Sequence, residues 1–202
     1  MATELHSVLP GFRIYRTLLG EMDTTLYLIV DTDTNTSLNV DAADDVDAIL
    51  ELAEGPAGMG VFTTPGHWDH HQAIPELTER LGVDFWLHPA DAEIAGKTPD
   101  RPIESGEFAI GKTKGTVLHT PGHTPGSVSL ALDGIVLTGD TLFPGGPGAT
   151  RFEHSSFDTI IDSIATSLFT MIAATVVLPG HGPGTTMGAE QPQLDEWRER
   201  GW

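Results

Sequence analysis

The sequence predicts an α+β protein, a four-layer αββα sandwich in which two packed β-sheets carry helices on their outer faces. Two observations predict this class. Stretches with strand character fall into two groups along the chain, and stretches with helical periodicity follow each group. Three Pro-Gly-His triplets, ending at His67, His123 and His181, each follow a strand-like stretch and are therefore expected where strands end. No linker-like segment interrupts the pattern, so we expect residues 1–202 to form a single domain.

Five strands and three helices are predicted in the first half of the chain. The residues from 26 to 30 are continuously apolar, which is typical of a strand that is buried on both faces. The polar turn residues from 31 to 36 indicate a hairpin between that strand and the next. Pro75 must lie in an early turn of its helix or kink it. The predicted strands cover residues 12–18, 24–31, 37–40, 60–64 and 84–88, and the helices cover residues 42–53, 69–81 and 89–95.

The second half of the chain is rich in predicted strands. The dipeptide Asp133-Gly134 is a strong signal for a two-residue hairpin turn. Residues 143–149 contain too much glycine and proline for regular structure, and we expect a loop over a pocket there. Ser155 or Ser156 is expected to cap a helix that runs to about residue 171. The predicted strands cover residues 107–111, 113–119, 127–132, 135–138 and 175–178, and a last short helix covers residues 188–202.

The composition excludes several classes of partner and chemistry. With 29 acidic and 10 basic residues the net charge is −19, which argues against nucleic acid because its binding needs Lys and Arg to replace phosphate counterions. The chain has no cysteine, so disulfides, thiolate ligands and a cysteine nucleophile are excluded. The first residues do not resemble a signal peptide, and no apolar run reaches the ~20 residues that span a bilayer. We therefore expect a cytoplasmic protein that acts on a small molecule and not on a membrane.

The densest cluster of reactive side chains follows the predicted strand over residues 60–64. His67, Asp69, His70 and His71 come in quick succession there. Imidazole is the commonest metal-ligating side chain, and carboxylates suit the same divalent ions. Two more histidines come with the other Pro-Gly-His triplets, and Asp140 follows a glycine at the end of a predicted strand. The pattern predicts a metal site built from several strand ends.

These motifs resemble those of the metallo-β-lactamase-fold hydrolases, and most closely those of the glyoxalase II-like branch. That family carries Thr-His-x-His-x-Asp-His after a strand, then Thr-Pro-Gly-His-Thr-Pro-Gly, a Gly-Asp turn and a final Gly-His turn. This chain has Thr-Pro-Gly-His-Trp-Asp-His at residues 64–70, Thr-Pro-Gly-His-Thr-Pro-Gly at 120–126, Gly-Asp at 139–140 and Gly-His at 180–181. The resemblance implies the αββα sandwich of that family and a metal-dependent hydrolase.

The resemblance also implies a site for one or two metal ions, Zn in the first place, with Fe or Mn as alternatives. Two such ions ~3.5–4 Å apart can share a hydroxide. A metal-bound hydroxide would attack a small ester, thioester or lactone-type substrate, and Asp69 would orient the water as a ligand or as a base. The implied ligands are His67 and His123 for the first ion, Asp69, His70 and His181 for the second, and Asp140 as the bridge between them.

The chain departs from the family at Pro65, which stands where the family has the first histidine of its motif. Proline offers no ligand atom. By resemblance to a lactamase subclass that has Asn at this position and works with one zinc, we expect the second site to dominate and the first to be weak or empty. His71, His119 or a water could fill the gap. The rival interpretation is a degenerate member that binds metal or ligand without turnover.

Several residues near the motifs are candidates for contact with the substrate. Trp68 would lie at the rim of the site, Arg151 could pair with a substrate carboxylate, and His154 could touch the substrate. The alternatives are a packed aromatic ring, an ordinary surface ion pair and a place near a helix cap, respectively. By resemblance, Met22 and Asp23 flank the pocket. Only a short segment follows the last motif, so we do not expect the glutathione-binding helical region of classical glyoxalase II.

Overall fold

A computed structural model describes residues 4–201 and contains two large β-sheets and a small ribbon. Seven strands form the first sheet: β1 (Glu4–Leu9), β2 (Phe12–Leu19), β3 (Thr24–Asp31), β4 (Thr36–Val40), β5 (Ala57–Phe62), β6 (Asp84–Leu87) and β7 (Arg101–Pro102). The rest of the chain adds β8 (Gly106–Ile110), β9 (Thr113–His119), β10 (Val128–Leu132), β11 (Ile135–Gly139), β12 (Leu142–Phe143), β13 (Gly146–Pro147), β14 (Val176–Pro179) and β15 (Thr185–Thr186).

The first sheet runs in spatial order from β1 to β7, antiparallel as far as β4 and parallel beyond it. The second sheet has the order β15-β14-β11-β10-β9-β8, and β12 pairs with β13 in the ribbon. The helices are α1 (Val46–Leu52), α2 (Ile74–Leu81), α3 (Ala92–Ala95), α4 (Phe157–Ser163), α5 (Met187–Glu190) and α6 (Leu194–Arg200). Over the described residues, no helix combines the length and the apolar character needed to cross a bilayer.

Buried apolar side chains form three layers. The central layer lies between the sheets and includes Ile29 and Leu38 from the first sheet and Leu130 and Leu137 from the second. One outer layer packs α1 and α2 on the first sheet, and the other packs α4 and α6 on the second. The order helix, sheet, sheet, helix confirms the α+β class and the αββα sandwich predicted from the sequence.

Local patterns located most elements correctly. All eight residues of β3 are buried, as the continuous apolar run predicted. The β3–β4 hairpin and the turn at Asp133-Gly134 between β10 and β11 are both present. Pro75 lies in the first turn of α2, where a missing backbone N–H costs little. These features depend on neighbouring residues alone, which is why the sequence predicted them.

Two predicted helices begin later than expected. α1 begins at Val46 and not at residue 42, because Asp41 and Asp45 have φ angles of 58° and 51°, outside the right-handed helical region. Asp45 instead caps α1, and its side chain accepts a hydrogen bond from the backbone N–H of Ala48. The helix predicted over residues 69–81 divides into a short 3₁₀ turn and α2, since proline cannot lie inside a continuous helix.

In the second half, residues 143–149 contain the β12–β13 ribbon, so the prediction of a wholly irregular segment was wrong in part. Ser156 caps α4, which passes into a wider π turn at Ile164–Leu168 and does not continue as an α-helix. The C-terminal segment forms α5 and α6, and Trp202 lies outside the described residues. Strand β1 was not predicted. Strands β7 and β15 were also missed, because two residues are too few to show a pattern.

Asp31, at the end of β3, joins two hairpins that belong to different sheets. Its Oδ1 accepts hydrogen bonds from N and Oγ1 of Thr34 at 2.7 and 2.6 Å, within the β3–β4 turn. Its Oδ2 accepts from N and Oγ1 of Thr113 at 2.9 and 2.7 Å and from the backbone of Lys112 at 3.2 Å, in the second sheet. Hydrogen bonds from Thr34 and Thr113 hold the pKa of Asp31 below its usual range.

We expect Asp31→Ala to lower the free energy of unfolding by ~3 kcal/mol at neutral pH, because two buried donors of Thr113 and three partly buried donors lose their acceptor. Since the folded pKa is depressed, the stabilisation is present above the unfolded pKa of ~3.9 and is lost as the pH falls below it. Urea unfolding should therefore show a smaller difference from the unaltered protein near ~pH 3 than near ~pH 7.

Asp33→Ala is the matched control for this prediction. Asp33 lies in the same β3–β4 turn as Asp31, and its replacement removes an exposed ion pair of 3.4 Å with Lys112. The expected change in the free energy of unfolding is less than ~0.5 kcal/mol. Equal losses in the two variants would contradict the special role assigned to Asp31.

Candidate metal centre

The strand ends that carry the motifs meet at one edge of the sandwich. β5, β9 and β14 each lead into one of the three Pro-Gly-His turns, and β11 leads to Asp140. The backbone N–H of Val128 donates to the carbonyl of Thr64 at 3.0 Å, which joins the first turn to the second sheet. The N–H of Thr25 donates to the carbonyl of Gly180 at 2.7 Å, which joins the third turn to the first sheet. The two sheets therefore build this edge together.

Asp69, His70 and His181 are grouped with spacing suited to a metal ion. One potential ligand atom from each lies within 4.8 Å of the others. Oδ2 of Asp69 is 3.2 Å from Nε2 of His181 and 3.8 Å from Nε2 of His70. Asp140 lies beside the group, with Oδ1 3.4 Å from Nε2 of His70 and Oδ2 3.7 Å from Nε2 of His181. The structure thus brings together the residues that the sequence predicts for the second ion.

Besides Nδ1 of His70, which faces Asp41, two atoms in this group are buried without a hydrogen-bond partner, Nε2 of His70 and Oδ1 of Asp140. A Cβ on Gly180 would come within 2.5 Å of Oδ1 of Asp140 and 2.7 Å of Cε1 of His70, so glycine alone fits beside them. Leaving a polar atom buried and unpaired costs ~1–3 kcal/mol, and a divalent cation would satisfy both atoms. Imidazole and carboxylate donors suit Zn, Fe or Mn, so these residues fit a metal ion.

Two of the rings are oriented through the nitrogen that faces away from the group. Nδ1 of His123 donates to the carbonyl of Ala149 at 2.8 Å, and Nδ1 of His181 donates to the carbonyl of Met22 at 3.1 Å. A carbonyl oxygen only accepts, so Nδ1 carries the proton in both neutral rings. Nε2 is then free to bind a metal ion, as is usual for histidine ligands with a fixed outer partner.

Carboxylates make the site strongly favourable for positive charge. Nδ1 of His70 makes an ion-pair contact of 3.0 Å with Oδ2 of Asp41. Although burial opposes it, Asp41 and Asp140 raise the pKa of His70 well above its usual value. Burial also works to lower the pKa of His181, but the hydrogen bond to Asp69 raises it above its usual value. Despite its burial, the pKa of Asp140 is kept below the usual range by His70. The same field would favour a bound cation.

His67 and His123 face each other beside Asp140, where the resemblance places the first ion. Nδ1 of His67 is 2.8 Å from Nε2 of His123, which is 3.4 Å from Oδ2 of Asp140. Burial, together with His123 and His154, lowers the pKa of His67 to about 4. The ring is therefore neutral near neutral pH, which is the form that binds metal. Pro65 is buried and offers no ligand atom.

His71 and His119, two of the three groups that could fill the gap, do not reach this position. Nε2 of His71 is 3.1 Å from the carbonyl of Gly66, and Nδ1 is 3.3 Å from Nζ of Lys97. His119 stacks on His88, with ring centroids 4.4 Å apart. Both rings are engaged outside the cluster, which leaves a water as the remaining one of the three alternatives.

Asp91 was not predicted from the sequence, yet it joins two of the motif turns. Its Oδ2 accepts hydrogen bonds from the backbone of Gly66 at 2.7 Å and from Oγ1 of Thr124 at 2.5 Å. Its Oδ1 accepts from the backbone of Gly126 at 2.6 Å. The side chain is fully buried. The one signal in the sequence was an acid in the first turn of a short helix, which ordinarily indicates a favourable charge at a helix start.

Two further buried acids position parts of the site and were also missed. Oδ1 and Oδ2 of Asp41 accept hydrogen bonds from N and Oγ1 of Thr64 at 2.8 and 2.7 Å. Oε2 of Glu190 accepts from the backbone of Gly145 at 2.9 Å, and Oε1 accepts from Oγ1 of Thr185 at 2.6 Å. Glu190 thus anchors the glycine-rich segment beside the site to α5.

A cleft of ≈ 470 Å³ opens over the cluster. Trp68 lies at its rim with 59% of its surface exposed, Arg151 is exposed beside it, and His154 lines the wall. Met22 also lines the cleft, as the resemblance implied, whereas Asp23 is not among the lining residues. A second cavity of ≈ 270 Å³ continues past Met22 and Trp68. The three side chains proposed for substrate contact therefore all face space in which a small molecule fits.

An αββα sandwich with a His and Asp cluster at the edge shared by its two sheets defines the class of metal-dependent hydrolases built on this fold. The cluster, its order along the chain and the motif turns all agree with that class. The chain belongs to the metallo-β-lactamase superfamily, whose family model matches residues 20–181. Members of this superfamily are mostly metal-dependent hydrolases.

Two curated relatives and one solved structure show the likeness in detail. The probable metallo-hydrolase YqgX of Bacillus subtilis is 36% identical over 160 residues, 69% of this chain and 76% of the relative. Hydroxyacylglutathione hydrolase GloC of Haemophilus influenzae is 31% identical over 188 residues, 81% of this chain and 88% of the relative. TTHA1623, solved in a di-iron-bound form, has a TM-score of 0.77 at 30% identity over 87% of this chain and 96% of its own. The family and fold implied by the sequence motifs are confirmed.

Proposed function

We propose that this protein hydrolyses a small ester, thioester or lactone with a metal ion held by Asp69, His70 and His181, and with Asp140 beside it. The observation that carries the proposal is the pair of buried, unpartnered atoms, Nε2 of His70 and Oδ1 of Asp140, beneath a cleft with room for a small molecule. Membership of a superfamily of mostly metal-dependent hydrolases supports it, as do the names of YqgX and GloC.

When bound, a divalent ion supplies Lewis acidity and lowers the pKa of a coordinated water to ~7. The residues of the chain supply orientation and exclusion of water. Asp69 lines the cleft, and although burial opposes it, the hydrogen bond from His181 lowers the pKa of Asp69. Asp69 would hold the ion, and its carboxylate would orient a water by accepting a hydrogen bond from it. Phe143 and Phe152 line the same cleft and limit the access of bulk water.

The name of one relative bears on the substrate class. GloC is named a hydroxyacylglutathione hydrolase, and this chain covers 88% of its length. The short segment after the last motif therefore gives no reason to exclude a glutathione thioester. Arg151, on the rim, is the residue that we propose for a substrate carboxylate. Zinc is the ion that we propose, and the di-iron form of TTHA1623 makes iron the alternative to test. We also propose a cytoplasmic location, which the cysteine-free composition supports.

The test combines metal analysis with hydrolysis assays. Protein purified without chelators is expected to carry at least one ion per chain by mass spectrometry and to hydrolyse members of a thioester and lactone panel. Chelation should abolish the hydrolysis, and added Zn²⁺ should restore it. An ion without hydrolysis would favour the rival interpretation of a degenerate binding protein. Absence of both metal and hydrolysis would overturn the proposed function.

A further inference from the structure

The four candidate histidine ligands differ in what contacts the ring nitrogen that faces away from the ions. For His70, His123 and His181 that contact is an oxygen atom, from a carboxylate or from a carbonyl. For His67 it is another histidine, because Nε2 of His67 lies 2.9 Å from Nε2 of His154. His154 comes from the segment between the glycine-rich loop and α4, far from His67 in the sequence.

The ring of His154 is fixed by its surroundings. It stacks on the ring of Phe152, with centroids 5.8 Å apart and planes 5° from parallel. Phe152 in turn contacts the ring of His67 edge-on at 4.7 Å. The backbone between them forms a tight turn in which N of Ser155 donates to the carbonyl of Phe152 at 3.1 Å. His154 therefore reaches His67 from a turn whose backbone hydrogen bond and ring contacts define its position.

The hydrogen-bond chemistry explains why an imidazole suits this place. Nδ1 of His123 donates to the carbonyl of Ala149, so its Nε2 can only accept, and the 2.8 Å contact with Nδ1 of His67 has His67 as the donor. With an ion at that Nδ1, the single proton of a neutral His67 ring would lie on Nε2. Nε2 of His154 would then accept from His67, with the proton of His154 on Nδ1. In the other arrangement the proton of His154 lies on Nε2, which donates to Nε2 of His67. An oxygen of a carbonyl would serve only one of these arrangements.

We propose that His154 is a positioning residue for the first metal site, which keeps Nδ1 of His67 directed at the ion. The inference rests on the proposed function, since it concerns the same metal centre. Pro65 leaves the first site with fewer imidazole ligands than the family pattern provides, so the orientation of His67 contributes more to its affinity. Partners of this kind typically change metal affinity by ~10–100-fold.

The test measures Co²⁺ binding by calorimetry and by visible absorption. All variants carry the substitution Pro65→His. Pro65→His adds the missing imidazole and is expected to raise the stoichiometry to two ions. Adding His154→Phe keeps an aromatic ring against Phe152 but removes the hydrogen bond. It should lower the affinity for one of the two ions by ~10–100-fold and leave the affinity for the other unchanged. Adding His154→Gln instead keeps a group that can both donate and accept, and it should restore the affinity to within a few-fold.

Equal Co²⁺ affinities in all three proteins would overturn the proposal, and so would an equal loss at both ions. A single ion in Pro65→His would overturn it as well, because His67 would then face no ion. The readout is binding and not turnover. A failure of the substrate panel would therefore count against the proposed hydrolase and leave the role of His154 standing. Equal Co²⁺ affinities would count against the role of His154 and leave the proposed hydrolase standing.

Discussion

His181→Ala and Asp69→Ala are each expected to lose the bound metal ion and with it most of the hydrolytic activity. Both side chains belong to the group whose ligand atoms lie within 4.8 Å of one another. His181 is oriented by its hydrogen bond to the carbonyl of Met22, so its Nε2 already faces Asp69 and Asp140. Loss of a single charge-stabilising group typically lowers kcat by ~10²–10³-fold, and loss of the ion should cost at least that much.

The measurement is metal content by mass spectrometry after dialysis, paired with kcat/KM on the best substrate of the panel. His6→Ala is the control, because His6 is exposed on β1 and lies outside the cleft. It should retain both the metal and the activity. If Asp69→Ala and His181→Ala both kept their full metal content, the assignment of the second site to these residues would be wrong.

The strand ends with their histidines and aspartates predicted a metal site, and the resemblance to the family implied which residues are its candidate ligands. His67, Asp69 and His70 share one turn, and the other ligands come with their own glycine-containing turns. A strand end fixes the direction of the residues that follow it, so local patterns were enough to place these side chains near one another. The continuous apolar run of β3 was recognisable for the same reason, since burial on both faces leaves a local trace.

The acids that support the ligands were not predictable in this way. Asp41 binds a residue 23 positions away, and Glu190 binds one 45 positions away. Their side chains look like ordinary surface acids until the sheets are packed. The start of α1 was misplaced for a related reason, because the positive φ angles of Asp41 and Asp45 depend on the path that the chain takes past the site. Long-range contacts decided each of these features.

The repeated Pro-Gly-His triplet also has a meaning that the sequence alone did not reveal. Its histidines were predicted as candidate ligands, whereas its glycines are required by close packing against three different neighbours. An added Cβ would meet the side chain of Asp91 at Gly66, the backbone of Ile160 at Gly122, and the side chains of Asp140 and His70 at Gly180. The same triplet therefore satisfies three separate packing constraints.

Asp91→Ala is expected to lower the free energy of unfolding by ~3 kcal/mol or more, because three buried donors lose their acceptor at ~1–3 kcal/mol each. These donors are the backbone N–H groups of Gly66 and Gly126 and the hydroxyl of Thr124. Gly66 directly precedes His67, so the orientation of a candidate ligand depends on the same carboxylate. Urea unfolding measures the stability, and Co²⁺ titration of the folded protein measures the effect on the metal site.

Two comparisons separate support of the fold from positioning of the ligands. Glu93→Ala removes an exposed acid from α3 and should change neither stability nor Co²⁺ affinity. Asp91→Asn keeps the volume and one acceptor oxygen, so it should fall between Asp91→Ala and the unaltered protein in both measurements. His70 has its own contact with Asp41, and His181 has its own bond to Met22. In the Pro65→His background, where two ions are expected, loss of Asp91 should therefore weaken binding of the first ion more than binding of the second. An equal effect on both would mean that Asp91 only stabilises the fold.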